Sequence, residues 1–182
     1  MGAPTGIDVA RVSGWMVDNV GAVAPLTFEL IAGGRSNLTF LVTGADGARV
    51  ALRRPPVSHV LPTAHDMVRE HTIISALRPT GVPVPTPLGL CVDEDVNGRP
   101  FYVMEFVDGE ILRDRAQAEA AFGEATRARI GDHLAETLAA LHDVDVEAVG
   151  LGDLARHDGY VERQLRRWRT QFEQMRVDGV DD

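Results

Sequence analysis

Apolar residues recur along this chain with two different periods, and the switch between them divides it. Val9, Val12, Trp15, Met16 and Val20 share one helical face, so Asp8–Val20 predicts an amphipathic opening helix. Pro25 ends the linker after it. Leu26–Ile31 and Leu38–Val42 then read as strands on either side of Gly33-Gly34-Arg35-Ser36-Asn37. Gly44-Ala45-Asp46-Gly47 predicts a hairpin turn into a third strand, Arg49–Arg53. Pro55, Pro56 and Pro62 interrupt regular structure, and a helix is expected from about Ala64 to Leu77, with Met67, Ile74 and Leu77 as its apolar contacts. The prolines at 83, 85 and 87 force an extended connection. Leu88–Val92 and Phe101–Phe106 form a last hairpin around the turn Asp93–Gly98.

From Asp108 onward the strand signals stop. Glu124–His142 is amphipathic through Ile130, Leu134, Leu138 and Leu141, and a further helix is expected over Tyr160–Met175. This order predicts an α+β fold: a five-stranded antiparallel sheet with one packed helix, followed by the first helices of a helical lobe. The expected divisions are 1–24 (helix and linker), 25–107 (sheet lobe) and 108–182 (helical part), with a boundary near Val107-Asp108-Gly109.

Composition narrows the function. The chain has 182 residues, 45% of them hydrophobic, with a net charge of -9. No basic stripe is interleaved with aromatics, which argues against a polynucleotide partner. Arg163, Arg166, Arg167 and Arg169 read as the solvated face of a helix whose Leu165, Trp168 and Phe172 face inward. A lone Cys91 cannot form an internal disulfide and fits a reducing compartment. With no apolar run of membrane-span length and no signal-peptide pattern at the N-terminus, a cytoplasmic protein with no membrane partner is expected.

The chemistry concentrates in Val50-Ala51-Leu52-Arg53 and in Glu70. Strand alternation puts Ala51 and Arg53 on one face, a small floor for a flat base beside a cation for its phosphates. Glu70 follows on the next helix, within reach if that helix packs on the sheet; the alternative is two unrelated surface charges. In protein kinases a strand lysine and a helix glutamate form this pair. Arginine takes the lysine's place here, and the chain has no lysine at all. Arg54 should face the other way, as a solvent or loop contact. Glycines in the loop carrying Gly34, Arg35, Ser36 and Asn37 would let backbone N–H groups approach phosphate oxygens. In a kinase-like fold the hinge after the last strand offers its backbone to a base edge, and there the contact is expected from the backbones of Glu105 and Val107. His65 and His71 lack metal-ligand spacing and read as surface or packing residues.

Gly33-Gly34-Arg35-Ser36-Asn37, Leu52-Arg53-Arg54-Pro55-Pro56, Arg69-Glu70, Val82-Pro83-Val84-Pro85 and Phe101–Gly109 together resemble the aminoglycoside phosphotransferase family, in the branch associated with acyl-CoA dehydrogenases. His142-Asp143-Val144-Asp145 and Val149-Gly150-Leu151-Gly152 extend the likeness, which covers nearly the whole chain from about residue 8. The resemblance implies a kinase-like bilobal fold, ATP or GTP with Mg²⁺, and phosphoryl transfer to a small-molecule hydroxyl. Members carry a catalytic His-Gly-Asp loop with an asparagine five positions after the aspartate, then a metal-binding aspartate. Here asparagine occurs only at 19, 37 and 97, and His157-Asp158-Gly159 is a scrambled look-alike. No catalytic residue or metal ligand is therefore assigned, and the Mg²⁺ ligands are expected in a half that this chain lacks. It reads as the N-terminal portion of such an enzyme: a truncated gene, one half of a split gene, or a fragment. Two readings stay open: the nucleotide-binding portion of a small-molecule kinase, or a non-catalytic module that binds a nucleotide or a partner. Apolar faces on the later helices allow self-association or a complementing C-terminal half.

Overall fold

Alternation along the strands sorts the central sheet into two unlike faces. The computed structural model describes residues 4–32, 37–57, 65–154 and 159–174. Five strands, β1 (Thr27–Ala32), β2 (Leu38–Thr43), β3 (Arg49–Arg54), β4 (Pro87–Cys91) and β5 (Phe101–Glu105), form one antiparallel sheet in the order β1-β2-β3-β5-β4. In register across it, Phe40, Leu52 and Val103 point to one side and are buried. One residue along, Thr39, Arg53 and Tyr102 line up on the other side.

The apolar side is covered by helix α1 (Val9–Val20), whose Val12 and Met16 have no exposed surface and join the same core as Phe40, Val42, Leu52, Phe101 and Val103. Asp8 caps α1 by accepting a hydrogen bond from the Arg11 N–H. Trp15 sets its ring edge on Phe101, with centroids 5.1 Å apart. That ring also lies against Gly89 of β4, where a Cβ would come within 3.0 Å of it. A side chain at position 89 would force the Trp15 ring and Val20 of α1 to give way. The polar side receives helix α2 (Met67–Leu77), capped by Asp66, which packs on β4 and β5 and buries Met67 and Leu77.

The expected turn Asp93–Gly98 instead holds a short helix, α3 (Glu94–Asn97), capped by Asp93. Long-range bonds tie it to α1, from the Asp8 N–H to Asn97 Oδ1 (3.0 Å) and from Arg11 Nη1 to the Asp95 carbonyl (2.6 Å). Neither partner can be read from local sequence.

After the sheet come α4 (Arg115–Ala121) and α5 (Glu124–His142), which pack on each other. Neither buries a residue, and Ile130, Leu134, Leu138 and Leu141 of α5 are all exposed. The chain divides into two compact units, 1–144 and 145–182. In the second, a 3-10 turn (Gly152–Leu154) precedes α6 (Tyr160–Gln174). Leu165, Trp168 and Phe172 were expected to face inward, but they are 59%, 61% and 65% exposed, with no apolar surface laid over the stripe among the described residues. No helix among these residues is long and apolar enough to cross a membrane.

Candidate functional site

The carboxylate of Glu70 collects three donors from three separate parts of the chain. Arg53 Nε of β3 donates to Oε2 at 2.8 Å, and the Tyr102 hydroxyl of β5 donates to the same oxygen at 3.1 Å. Asn37 Nδ2, just ahead of β2, donates to Oε1 at 2.7 Å. The orientation of Asn37 follows: with its NH₂ on a carboxylate, Oδ1 is left as acceptor, and His65 Nδ1 lies 2.5 Å from it as the donor. Asn37 is buried, as is Thr39, whose hydroxyl accepts from Arg53 Nη1 at 3.0 Å.

Sheet register produces most of this arrangement. Thr39, Arg53 and Tyr102 are direct cross-strand neighbours on adjacent strands β2, β3 and β5, so their side chains emerge side by side beneath α2. Glu70 lies in the first turn of α2 and points down onto that row. The side chains of Arg53 and Glu70 are 29% and 33% exposed, so water screens their attraction and the pair matters for geometry more than for stability. Two of the guanidinium's five N–H donors are spent on Glu70 and Thr39, which leaves three for an anion. Burial pushes the Tyr102 phenol well above its ordinary range; the negative charge of Glu70 adds to this, and the positive charge of Arg53 opposes it. His71 packs edge-on against Tyr102, with centroids 6.0 Å apart, and burial lowers its imidazole.

The structure therefore joins Arg53 to Glu70 and sets Ala51, also buried, on the same sheet face, between Leu41 and Met104. Gly34, Arg35 and Ser36 lie outside the described residues. Asn37, expected at the ligand, turns its side chain to Glu70 and His65. At the end of β5 the Glu105 N–H donates to the Thr86 carbonyl at 2.8 Å, which removes it as a donor to a base edge. The Thr86 N–H in turn donates to the Glu105 carboxylate, and the hydrogen bonds from Thr86 hold that carboxyl below its usual range. Val107 is exposed.

Arg54 is the clearest departure from a surface role. It is 5% exposed, with Nε donating to the Pro55 carbonyl at 3.0 Å. Alternation does turn it away from Arg53, but that direction is the core side of the sheet, in register with Leu38. Gly6, at φ +83°, closes over it: a Cβ there would fall 2.8 Å from Arg54 Nη1. Burial, with Arg99 nearby, lowers its affinity for a proton. Sequence reasoning also missed Tyr102, Thr39 and His65, of which the first two could have been found by extending the strand register of Arg53 to its neighbours. At the exit of β5, Arg49 pairs with Asp108 and stacks on the Phe106 ring at 5.0 Å, fixing the start of the connection.

A cation held by a helix carboxylate on the polar face of a five-stranded antiparallel sheet is a kinase-like arrangement. A model of the phosphotransferase enzyme family matches residues 27–178. The chain belongs to this family. Acyl-CoA dehydrogenase family member 11 of Gallus gallus is 40% identical over 149 residues, which are 81% of this chain and 18% of that protein. A crystal structure of a candidate aminoglycoside phosphotransferase from Ralstonia eutropha is 36% identical, with a TM-score of 0.71 over 95% of this chain and 49% of its own. The GDP complex of aminoglycoside 2'-phosphotransferase-IIIa shares the fold, at 18% identity and a TM-score of 0.62 over 96% of this chain and 55% of that one. This phosphotransferase-family chain thus spans less than a fifth of that curated relative and about half of each solved neighbour.

Proposed function

We propose that this chain is the nucleotide-binding portion of a small-molecule phosphotransferase, with Arg53 gripping the phosphates of ATP or GTP. The observation that carries this reading is the Arg53–Glu70 pair at 2.8 Å, anchored on both sides and with three guanidinium donors unspent. A planar fork of that kind suits phosphate oxygens and keeps its charge at any accessible pH. Ala51 leaves room for a flat base. The Glu105 carbonyl and the Val107 N–H are the backbone groups for its edge, the Glu105 N–H being engaged. Gly34, Arg35 and Ser36 would add backbone and hydroxyl donors to the phosphates. The neighbour solved with GDP supports a nucleotide in this fold class.

Mg²⁺ would neutralise charge on the phosphates and help align them. Among the described residues, no three His, Cys, Asp or Glu side chains come together to hold a metal ion. Transfer to a hydroxyl of a small molecule belongs to the complete enzyme, in a cytoplasmic setting.

Calorimetric titration of the chain with MgATP and MgGTP tests the reading. Arg53→Ala should weaken binding about 5- to 150-fold, the range given by roughly 1–3 kcal/mol for a charged hydrogen bond. Arg69→Ala, an exposed cation on the same helix as Glu70, should leave it unchanged. Wild-type chain that takes up neither nucleotide, or equal losses in both variants, would refute the proposal.

A further inference from the structure

Arginine differs from lysine in needing to be aimed. An ammonium is a point charge that binds from any direction, whereas a guanidinium presents donors in one plane and works only when that plane is fixed. In this chain the plane is fixed from both ends. Arg53 Nε is committed to Glu70 Oε2 and Nη1 to the buried Thr39 hydroxyl. Glu70 is itself pinned through both oxygens, by Tyr102 on Oε2 and by Asn37 on Oε1, with His65 holding Asn37 in turn. A carboxylate with one oxygen free could swing out of the plane; this one cannot without breaking a second bond.

The geometry points to Thr39, Tyr102 and Asn37 as positioning residues that convert Arg53 into an oriented anion fork, so that the site works with arginine and is not built for lysine. Thr39 is the part that follows specifically from arginine. A lysine ammonium carries its three donors on one nitrogen, so it cannot meet Glu70 and the Thr39 hydroxyl from two nitrogens while turning a planar fork outward. Arg53→Lys, which keeps the charge, should therefore recover little of the lost affinity. None of the three residues needs to touch a nucleotide; each acts through Arg53 or Glu70.

The inference rests on the nucleotide reading for its affinity measurement but not for its geometric one. In titrations with MgATP, Thr39→Val and Tyr102→Phe should each weaken binding about 2- to 12-fold, on the scale of one typical net hydrogen bond, because each acts on the ligand only through Arg53. Thr39→Ser, which restores the hydroxyl, should lie within about twofold of wild type. In an Arg53→Ala background neither Thr39→Val nor Tyr102→Phe should cost anything further, because their only route to the ligand is gone. Undiminished losses in that background would mean general structural damage and would overturn the assignment, as would normal binding in both single variants or full rescue by Arg53→Lys. Should wild-type chain bind no nucleotide, the NMR signal of Arg53 Nε–H still decides. A slow-exchanging signal in wild type that exchanges faster in Thr39→Val and Tyr102→Phe supports the aimed fork although the nucleotide reading has failed. A signal indifferent to both substitutions rejects it. Two variants on different strands guard against one failing to fold.

Discussion

Tyr102 shows how far a single hydroxyl can be shaped by its neighbours. Its phenol is buried against Glu70, Arg53 and His71, and the first two pull its proton affinity in opposite directions. Burial and the carboxylate win, so the folded state holds this proton more tightly than the unfolded chain does. The sign of the consequence follows: below a pH of about 10, where a free tyrosine is protonated, the stabilisation is fully present. Above that it is lost progressively as pH rises towards the folded-state value. The absence of lysine makes this measurable, since the groups that usually dominate titration near that pH are missing. Thermal melts of wild type should show a fall in Tm on going from about pH 9 to pH 11. Tyr102→Phe should flatten that fall while leaving the contribution of Cys91, whose thiol burial also pushes up. Identical slopes in the two proteins would show that the phenol is not held as described.

At the scale of elements, α1 does more than precede the sheet. It closes the apolar face that α2 leaves open, and its fit depends on an unsubstituted backbone at Gly89 and on Trp15 meeting Phe101. Met16 and Val17 are adjacent in sequence and opposite in environment: the first has no exposed surface and the second is 39% exposed. Met16→Ala should cost about 2–5 kcal/mol in urea unfolding, the usual range for emptying a buried methionine site. Val17→Ala should change stability by less than about 0.5 kcal/mol. A small loss at Met16 would mean that α1 is not part of the folded core. The same reasoning explains Arg54, which is buried because Gly6 of the N-terminal segment lies against its guanidinium.

For the molecule as a whole, the two ends of the chain are unlike. The sheet region has a dense core. By contrast α5 exposes Ile130, Leu134, Leu138 and Leu141, and α6 exposes Leu165, Trp168 and Phe172. Repeated apolar residues along exposed helix faces favour association. Sedimentation of the isolated chain should therefore show concentration-dependent dimers or larger species. Leu134→Glu combined with Leu138→Glu should shift the population towards monomer, because both lie on the exposed side of α5. A monomer at all concentrations, before substitution, would show that these faces are not adhesive.

Period and punctuation in the sequence were sufficient to determine most elements: a helical spacing before Pro25, five strands separated by glycine- and proline-rich turns, and the two longer helices after Asp108, but not the short α3 or α4. They also determined that Arg53 and Ala51 share a face, because side chains alternate on a strand whatever it packs against. Proximity in the chain could not determine who surrounds Glu70. Asn37 and Tyr102 reach it from 33 and 32 positions away, His65 reaches Asn37 from 28, and only the pairing of β2, β3 and β5 under α2 brings them together. The fate of Arg54 was settled the same way. Its direction was local, fixed by alternation, but whether that direction led to water or to the core depended on the N-terminal segment laid across it. Local spacing governs orientation; burial and partnership are properties of the assembled sheet and the helices on its two faces.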